Sequence, residues 1–198
     1  MKAFFITGFQ RKAAACLLIL AAIVFMKTPL GAEEEEFSLQ VYLSKKQALE
    51  LAFPGADSIE KKKIWLTEAQ REAISTISLL KVDDRRMDFY IGMKSGKAMG
   101  YMVIENIIGK SFPITFMIVM NVDGTVRDVE IMVYREPRGY EVRSESFMSQ
   151  FFGRDAEFDY REINSITGAT LSVRAITKGV RKATASFKVL FLDSSPAR

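Results

Sequence analysis

The segment PITFMIVMN, residues 113–121, is apolar almost throughout, and Asp123-Gly124 follows it at once. A short apolar run bounded by turn residues suits a strand covered on both faces, and Asp-Gly is a strong hairpin signal. VRDVEIMVY (126–134) continues as the next strand, with Val129, Ile131 and Val133 alternating against Glu130, Met132 and Tyr134. Upstream, DFYIGM turns through Lys94-Ser95-Gly96 into AMGYMVIEN, a pattern rich in aromatic and branched residues that reads as a β-hairpin. The expectation is an antiparallel meander of about four strands in an α+β domain, with Met117 and Met120 in its core.

Helices flank this sheet in the sequence. Ser44 with Gln47 and Thr67 with Gln70 have the spacing of capping boxes; the first opens a helix within LSKKQALELAFPGAD (43–57) that Pro54-Gly55 stops, and the second a helix from Thr67 through about Leu79. Lys61-Lys62-Lys63 between them reads as a solvated face. REPRGYEV (135–142) is a loop, and SESFMSQFFG (144–153) a short helix closed by Gly153. From about Leu171 to Leu192, Val173, Ile176, Val180, Ala183, Phe187 and Leu190 recur at steps of three and four, the stripe of a long helix packed on the sheet. Arg174, Lys178, Arg181, Lys182 and Lys188 lie off that stripe.

Charge and cysteine usage then narrow the chemistry. Residues 1–32 combine Lys2, Arg11, Lys12 and Lys27 with an apolar run from Ala13 to Met26 and a small residue at Ala32. This is the pattern of a secretory signal peptide cleaved after Ala32, the alternative being an uncleaved anchor through 13–26. Those residues hold four of the 28 basic groups and none of the 24 acidic ones, so the chain from Glu33 onward is formally neutral. The basic character belongs to the leader, and a nucleic-acid partner loses its support. Beyond Cys16 the chain has neither cysteine nor histidine. That excludes disulfides, Cys/His metal sites and Ser-His or Cys-His catalysis, and leaves an organic cofactor as the source of any redox chemistry. No side chain is assigned a general acid or base role. The domain plan is a leader over 1–32, a helical part with the first strand over 33–97, and the main domain over 98–192.

Thr167-Gly168-Ala169-Thr170 sits directly before the long helix. Helix N-termini present unpaired N–H groups and the positive end of the macrodipole, and Gly168 and Ala169 leave room for a ligand's phosphate. Thr167, Thr170 and Ser172 supply hydroxyls that suit either an ordinary cap or an anion site, and the residues alone leave both open.

The run Asn164-Ser165-Ile166-Thr167-Gly168-Ala169-Thr170-Leu171-Ser172 resembles the flavinylation motif of the FMN-binding domain family. That family includes flavin-carrying subunits of the sodium-translocating NADH:quinone reductase and of the related ion-translocating electron-transport complex. The motif there reads Asp or Asn, two residues, Ser or Thr, Gly, Ala, Thr, and its last threonine carries FMN through a phosphoester made by a flavin transferase. The resemblance covers roughly residues 98–190 and implies covalent FMN on Thr170, with Thr167, Gly168, Ala169 and Ser172 around the phosphate. It also implies that Glu136, Gly139 and Tyr140 border the flavin, Gly139 by letting the loop approach it and Tyr140 by stacking. Asn164 stands where Asp is more usual, and Glu136-Pro137-Arg138-Gly139-Tyr140 departs from the Glu-Thr-Pro-Gly-Leu-Gly of the ion-pump proteins. The implied protein is an exported electron-transfer module served by a flavin transferase and a membrane or periplasmic redox partner. A noncovalent flavin-binding or redox-sensing module and a flavin-free exported interaction domain are the competing readings.

Overall fold

The computed structural model describes residues 39–193. The expected cleavage site and apolar leader lie outside them. Elements follow in the order β1 (Gln40–Val41), α1 (Lys45–Ala52), β2 (Ser58–Trp65), α2 (Glu68–Ser78), β3 (Arg86–Lys94), β4 (Lys97–Ile108), β5 (Pro113–Met120), β6 (Val126–Tyr134), α3 (Glu145–Met148) and α4 (Thr170–Phe187). A π-helical turn, Lys188–Leu192, extends α4, and 3₁₀ turns occupy Tyr140–Arg143, Ser149–Phe151 and Tyr160–Glu162. Both expected capping boxes form, on Ser44 with Gln47 and on Thr67 with Gln70.

The α+β class holds, but the sheet has six antiparallel strands in the order β1-β6-β5-β4-β3-β2, against the four expected. β2 is the run SIEKKKIW, whose lysines carry no strand signal of their own. It pairs with β3 along its whole length while its side chains stay mostly exposed. An edge strand gains its ladder from one neighbour and needs no apolar alternation, and lysines there discourage further pairing. β1, only two residues long, closes the other edge on Val133 and Tyr134.

β5 is the pivot. Every residue from Ile114 to Met120 is buried, as expected of a strand covered twice. Phe116, Ile118 and Met120 join Val129, Ile131, Val173, Ile176, Val180 and Ala183 in the core beneath α4. Met117 and Val119 face the other way, to Ala48, Ala52 and Phe53 at α1.

The register of β6 corrects a second expectation. Thr115 pairs with Val133 and Phe116 with Ile131, so Met132 is an extra residue in a β-bulge. Val129 and Ile131 face α4, Met132 and Val133 face the α1 side, and the reset returns Tyr134 to the α4 side. Strict alternation would have sent Tyr134 away from the start of α4.

Two contacts set how α4 lies on the sheet. At Gly179 an added Cβ would stand 2.4 Å from the Phe116 ring, so the helix approaches β5 through a missing side chain. Further along, Lys182 Nζ lies 2.9 Å from Glu105 Oε2 on β4 and 3.1 Å from Asp84 Oδ2. Burial pushes the Glu105 carboxyl above its ordinary value. Burial also opposes the Lys182 ammonium, but Glu105 and Asp84 outweigh it and hold its pKa above normal.

Gly179→Ala gains about 1 kcal/mol of helix propensity, but overpacking against a fully buried ring costs about 1–3 kcal/mol. The expected net result is a lower urea midpoint with an unchanged slope. Lys182→Met strands the buried Glu105 carboxylate and is expected to cost about 3–5 kcal/mol near neutral pH. That deficit shrinks as pH falls and Glu105 takes up a proton, which unfolding curves at two pH values will register.

Candidate functional site

Thr170 is the first residue of α4, one position earlier than the helical pattern implied, and Ala169 is the N-cap. The cap has φ −117° and ψ 16° and receives no side-chain hydrogen bond. Gly168 has φ +84°, a left-handed conformation that suits glycine, with open space around the position of a Cβ. Ala169 N–H donates to Ile166 C=O at 3.0 Å, closing the turn from within. Thr167, Gly168 and Thr170 are exposed while Ala169 is buried. The threonine hydroxyls therefore stand outward at a helix terminus that no side chain caps.

Ser172 departs from this arrangement. It is buried, and its hydroxyl lies 2.8 Å from Tyr134 Oη, which itself donates to Arg138 C=O at 2.7 Å. A phenol has a single proton, so Ser172 Oγ–H is the donor to Tyr134. Ser172 thus clamps the helix start to the bulged end of β6 and turns away from the outward hydroxyls. Burial pushes the Tyr134 phenol up to about 12, against a smaller downward pull from Ser172.

The 136–140 loop also serves this joint. Gly139 has φ +85°, and a Cβ there would meet Ser172 Oγ at 2.8 Å, Tyr134 Oη at 2.9 Å and Ala169 Cα at 3.5 Å. Its open side is taken up by the start of α4, where the resemblance implies a flavin. Glu136 is buried, and its Oε1 accepts from the N–H groups of Lys110, Ser111 and Phe112 at 2.5, 2.8 and 2.9 Å. It binds the β4–β5 turn and has no surface left to offer a ligand through that oxygen. Tyr140 opens the 3₁₀ turn with 55% of its surface exposed. The structure therefore gathers Thr167, Gly168, Ala169 and Thr170 at one surface, and makes Ser172, Gly139 and Glu136 the frame behind it.

Residues that sequence reasoning passed over complete the surface. A cleft of about 490 Å³ runs from Thr170 along α4 past Val173, Arg174, Thr177 and Lys178. Its far wall is Tyr160, Arg161, Ile163 and Ser165. That volume lies in the range of small-molecule sites. Steps of four, three and one from Thr170 reach Arg174, Thr177 and Lys178, so the signal was present as helical periodicity on the polar face. Thr177 Oγ1 is buried without a hydrogen-bond partner. Arg161 is held by both Asp159 carboxylate oxygens, and Arg161's hydrogen bonds pull the Asp159 carboxyl down to about 2. A second cleft, of about 380 Å³, lies across the 164–166 strip between Glu141, Ser144, Phe147 and Gln150. Asn164 is fixed at that boundary, donating through N and Nδ2 to Gln150 Oε1 at 2.7 and 3.1 Å.

The donor set suits a phosphorylated aromatic cofactor. An exposed hydroxyl at an uncapped helix N-terminus would suit a phosphate, and the neighbouring cleft has the size of a small-molecule site. Among the described residues no group of three or more carboxylate, histidine or cysteine side chains is placed to hold a metal.

Residues 109–185 match the family model of the FMN-binding domain. The chain is 29% identical over 113 residues to a component of the proton-translocating ferredoxin:NAD(+) oxidoreductase complex of Clostridium ljungdahlii, across 52% of this chain and 60% of that relative. It thus spans about 60% of that relative's length. The crystal structure of Shewanella oneidensis NqrC aligns at 15% identity and a TM-score of 0.49, covering 77% of this chain and 89% of that one.

Burial holds the Tyr160 phenol, like that of Tyr134, up at about 12, against 10.0 for an ordinary tyrosine. Between those values the folded chain keeps protons that the unfolded chain has lost, so stability falls as pH rises through that window. Thermal unfolding from pH 9 upward is expected to show this decline, with a smaller slope in Tyr134→Phe.

Proposed function

We propose that this chain, whose residues 109–185 match the family model of the FMN-binding domain, is an exported electron-transfer flavoprotein that takes FMN as its cofactor, ester-linked to Thr170. The observation that carries the attachment is the placement of the Thr170 hydroxyl. It is exposed, uncommitted to a cap, and stands at the mouth of the Thr170–Lys178 cleft. The helix N-terminus favours the negative charge of a phosphoester.

Attachment needs FAD and a flavin transferase. Thr170 Oγ1 attacks the FMN phosphorus of FAD, the new P–O bond forms as the pyrophosphate bond breaks, AMP leaves, and the hydroxyl proton passes to solvent. Outside the cytoplasm a dissociable cofactor is lost by dilution, whereas an ester holds it irrespective of affinity. When bound, the flavin supplies one- and two-electron transfer. The chain's own part is to hold that group: Ser172, Tyr134 and Gly139 fix the start of α4, and Glu136 fixes the neighbouring turn. The Clostridium relative belongs to a ferredoxin:NAD(+) oxidoreductase complex. This supports a membrane or periplasmic redox partner for this chain, which loads or drains the flavin without a catalytic half-reaction by its side chains.

The test is the intact mass of the chain co-produced with a flavin transferase. An FMN-phosphoester adduct is expected in the wild type and in Thr167→Ala, and none in Thr170→Ala. An unmodified wild-type mass, with yellow colour that washes out on denaturation, would instead establish noncovalent binding.

A further inference from the structure

We propose that the face of the sheet bearing Trp65 is a peripheral docking surface for an anionic lipid bilayer, its indole seated among the headgroups and Lys45, Lys61, Lys63 and Arg86 supplying the attraction. The chain has a single tryptophan, and that residue is 69% exposed at the end of the edge strand β2. The two faces of β2 have different surroundings. Lys62 stands 5.1 Å over the Phe191 ring and Ile64 packs on the core beneath α4. Lys61, Lys63 and Trp65, at the alternate positions, therefore share the opposite face, the one that carries α1. Lys61 Nζ lies 5.6 Å from the Tyr90 ring centroid, and Lys45 Nζ of α1 lies 4.9 Å from the same ring. Arg86, the β3 partner of Trp65, holds its guanidinium carbon 5.7 Å from the indole.

The charge of this face is unbalanced. Asp88 is the carboxylate set among the four cations, and it meets Lys61 at 2.5 Å and Arg86 at 3.0 Å. Lys46 and Glu50 on α1 offset each other, and Asp84 and Glu105 turn to Lys182 on the α4 side. Other acids on this side lie apart, Asp57 at the opposite end of β2 and Asp128 and Glu130 on β6, four strands across. Lys45 and Lys63 are exposed and form no ion pair among the described residues.

Lysine beside tryptophan selects the kind of partner. Lysine is depleted at protein interfaces, whereas its long stem readily carries an ammonium to a layer of anionic headgroups. Tryptophan is enriched where membrane meets water, because its ring is largely apolar and its N–H stays wet. One exposed ring offers no series of stacking platforms for a nucleic-acid strand. Among the described residues no helix is long and apolar enough to cross a membrane, so the contact this face makes is a surface one.

The lone tryptophan is its own reporter. The full chain is mixed with vesicles of phosphatidylcholine and phosphatidylglycerol brominated on the acyl chains near the headgroup, and its emission is recorded. Trp65 is expected to shift to the blue and be quenched, and to do neither with phosphatidylcholine alone or once the ionic strength is raised. In Lys45→Gln/Lys63→Gln the ratio of docked to undocked chain, read from the quenched fraction, is expected to fall about thirtyfold, at about fivefold per lysine beside an anionic surface. Lys62→Gln, on the other face of the same strand, keeps the wild-type ratio. Reading Trp65 itself keeps the result separate from any attachment through residues 13–26. Emission unmoved by the anionic vesicles would overturn the proposal, as would equal quenching by neutral vesicles or at high ionic strength. A loss in Lys62→Gln as large as in the double variant would overturn it too, because the effect would then belong to no one face. So would a shift on adding polyglutamate or an oligonucleotide but none on adding vesicles, which assigns the face to an acidic protein or a nucleic acid.

Discussion

The packing of α4 across β5 is the contact on which everything else rests. β5 is buried on both faces, so it needs α1 on one side and α4 on the other. Gly179 lets α4 settle onto Phe116, and the Lys182 ammonium, set between Glu105 and Asp84, fixes the helix further along its length. The buried ion network adds little net stability by itself, since desolvation offsets its attraction. Its value is in register, because a helix displaced along the sheet would leave Glu105 charged and alone.

That seating carries through to the N-terminus of the helix. The joint of Ser172, Tyr134, Arg138 and Gly139 occupies the inner side of the first turn, and its hydrogen bonds are all internal. The outer side, from Thr167 to Thr170, is left to solvent and to the cleft. Dividing the turn in this way lets one short motif do two jobs. Ser172 fastens the helix, while Thr170 stays exposed at its start. The β-bulge at Met132 is what makes the division work, because it delivers the Tyr134 phenol to the inner side.

Much of this was legible in the chain. The central strand, the hairpin, the Asp-Gly turn, both capping boxes and the apolar stripe of α4 all follow from local rules, and the structure reproduces them. β2 escaped because an edge strand of lysines carries no burial signal, its ladder being supplied by a neighbour. Gly139 and Glu136 show a related limit of local reading. The resemblance implies that they border the flavin, and the positive φ of Gly139 and the buried Glu136 carboxylate also serve a tight internal joint. Which use is made of them depends on residues far away in sequence.

The sequence by itself therefore determined the α+β class, the doubly covered strand, and the identity of Thr170 as the hydroxyl at the start of a long helix. These follow from periodicity, turn chemistry and a contiguous motif, all of which act over a few residues. Only the tertiary structure decided that Ser172 faces inward, that Tyr134 meets it, and that Arg174, Thr177 and Lys178 share a cleft with a wall around Tyr160 to Ser165. Those outcomes turn on one extra residue in a β-strand and on how closely a helix can approach a phenyl ring. Both are long-range packing constraints that no local pattern encodes.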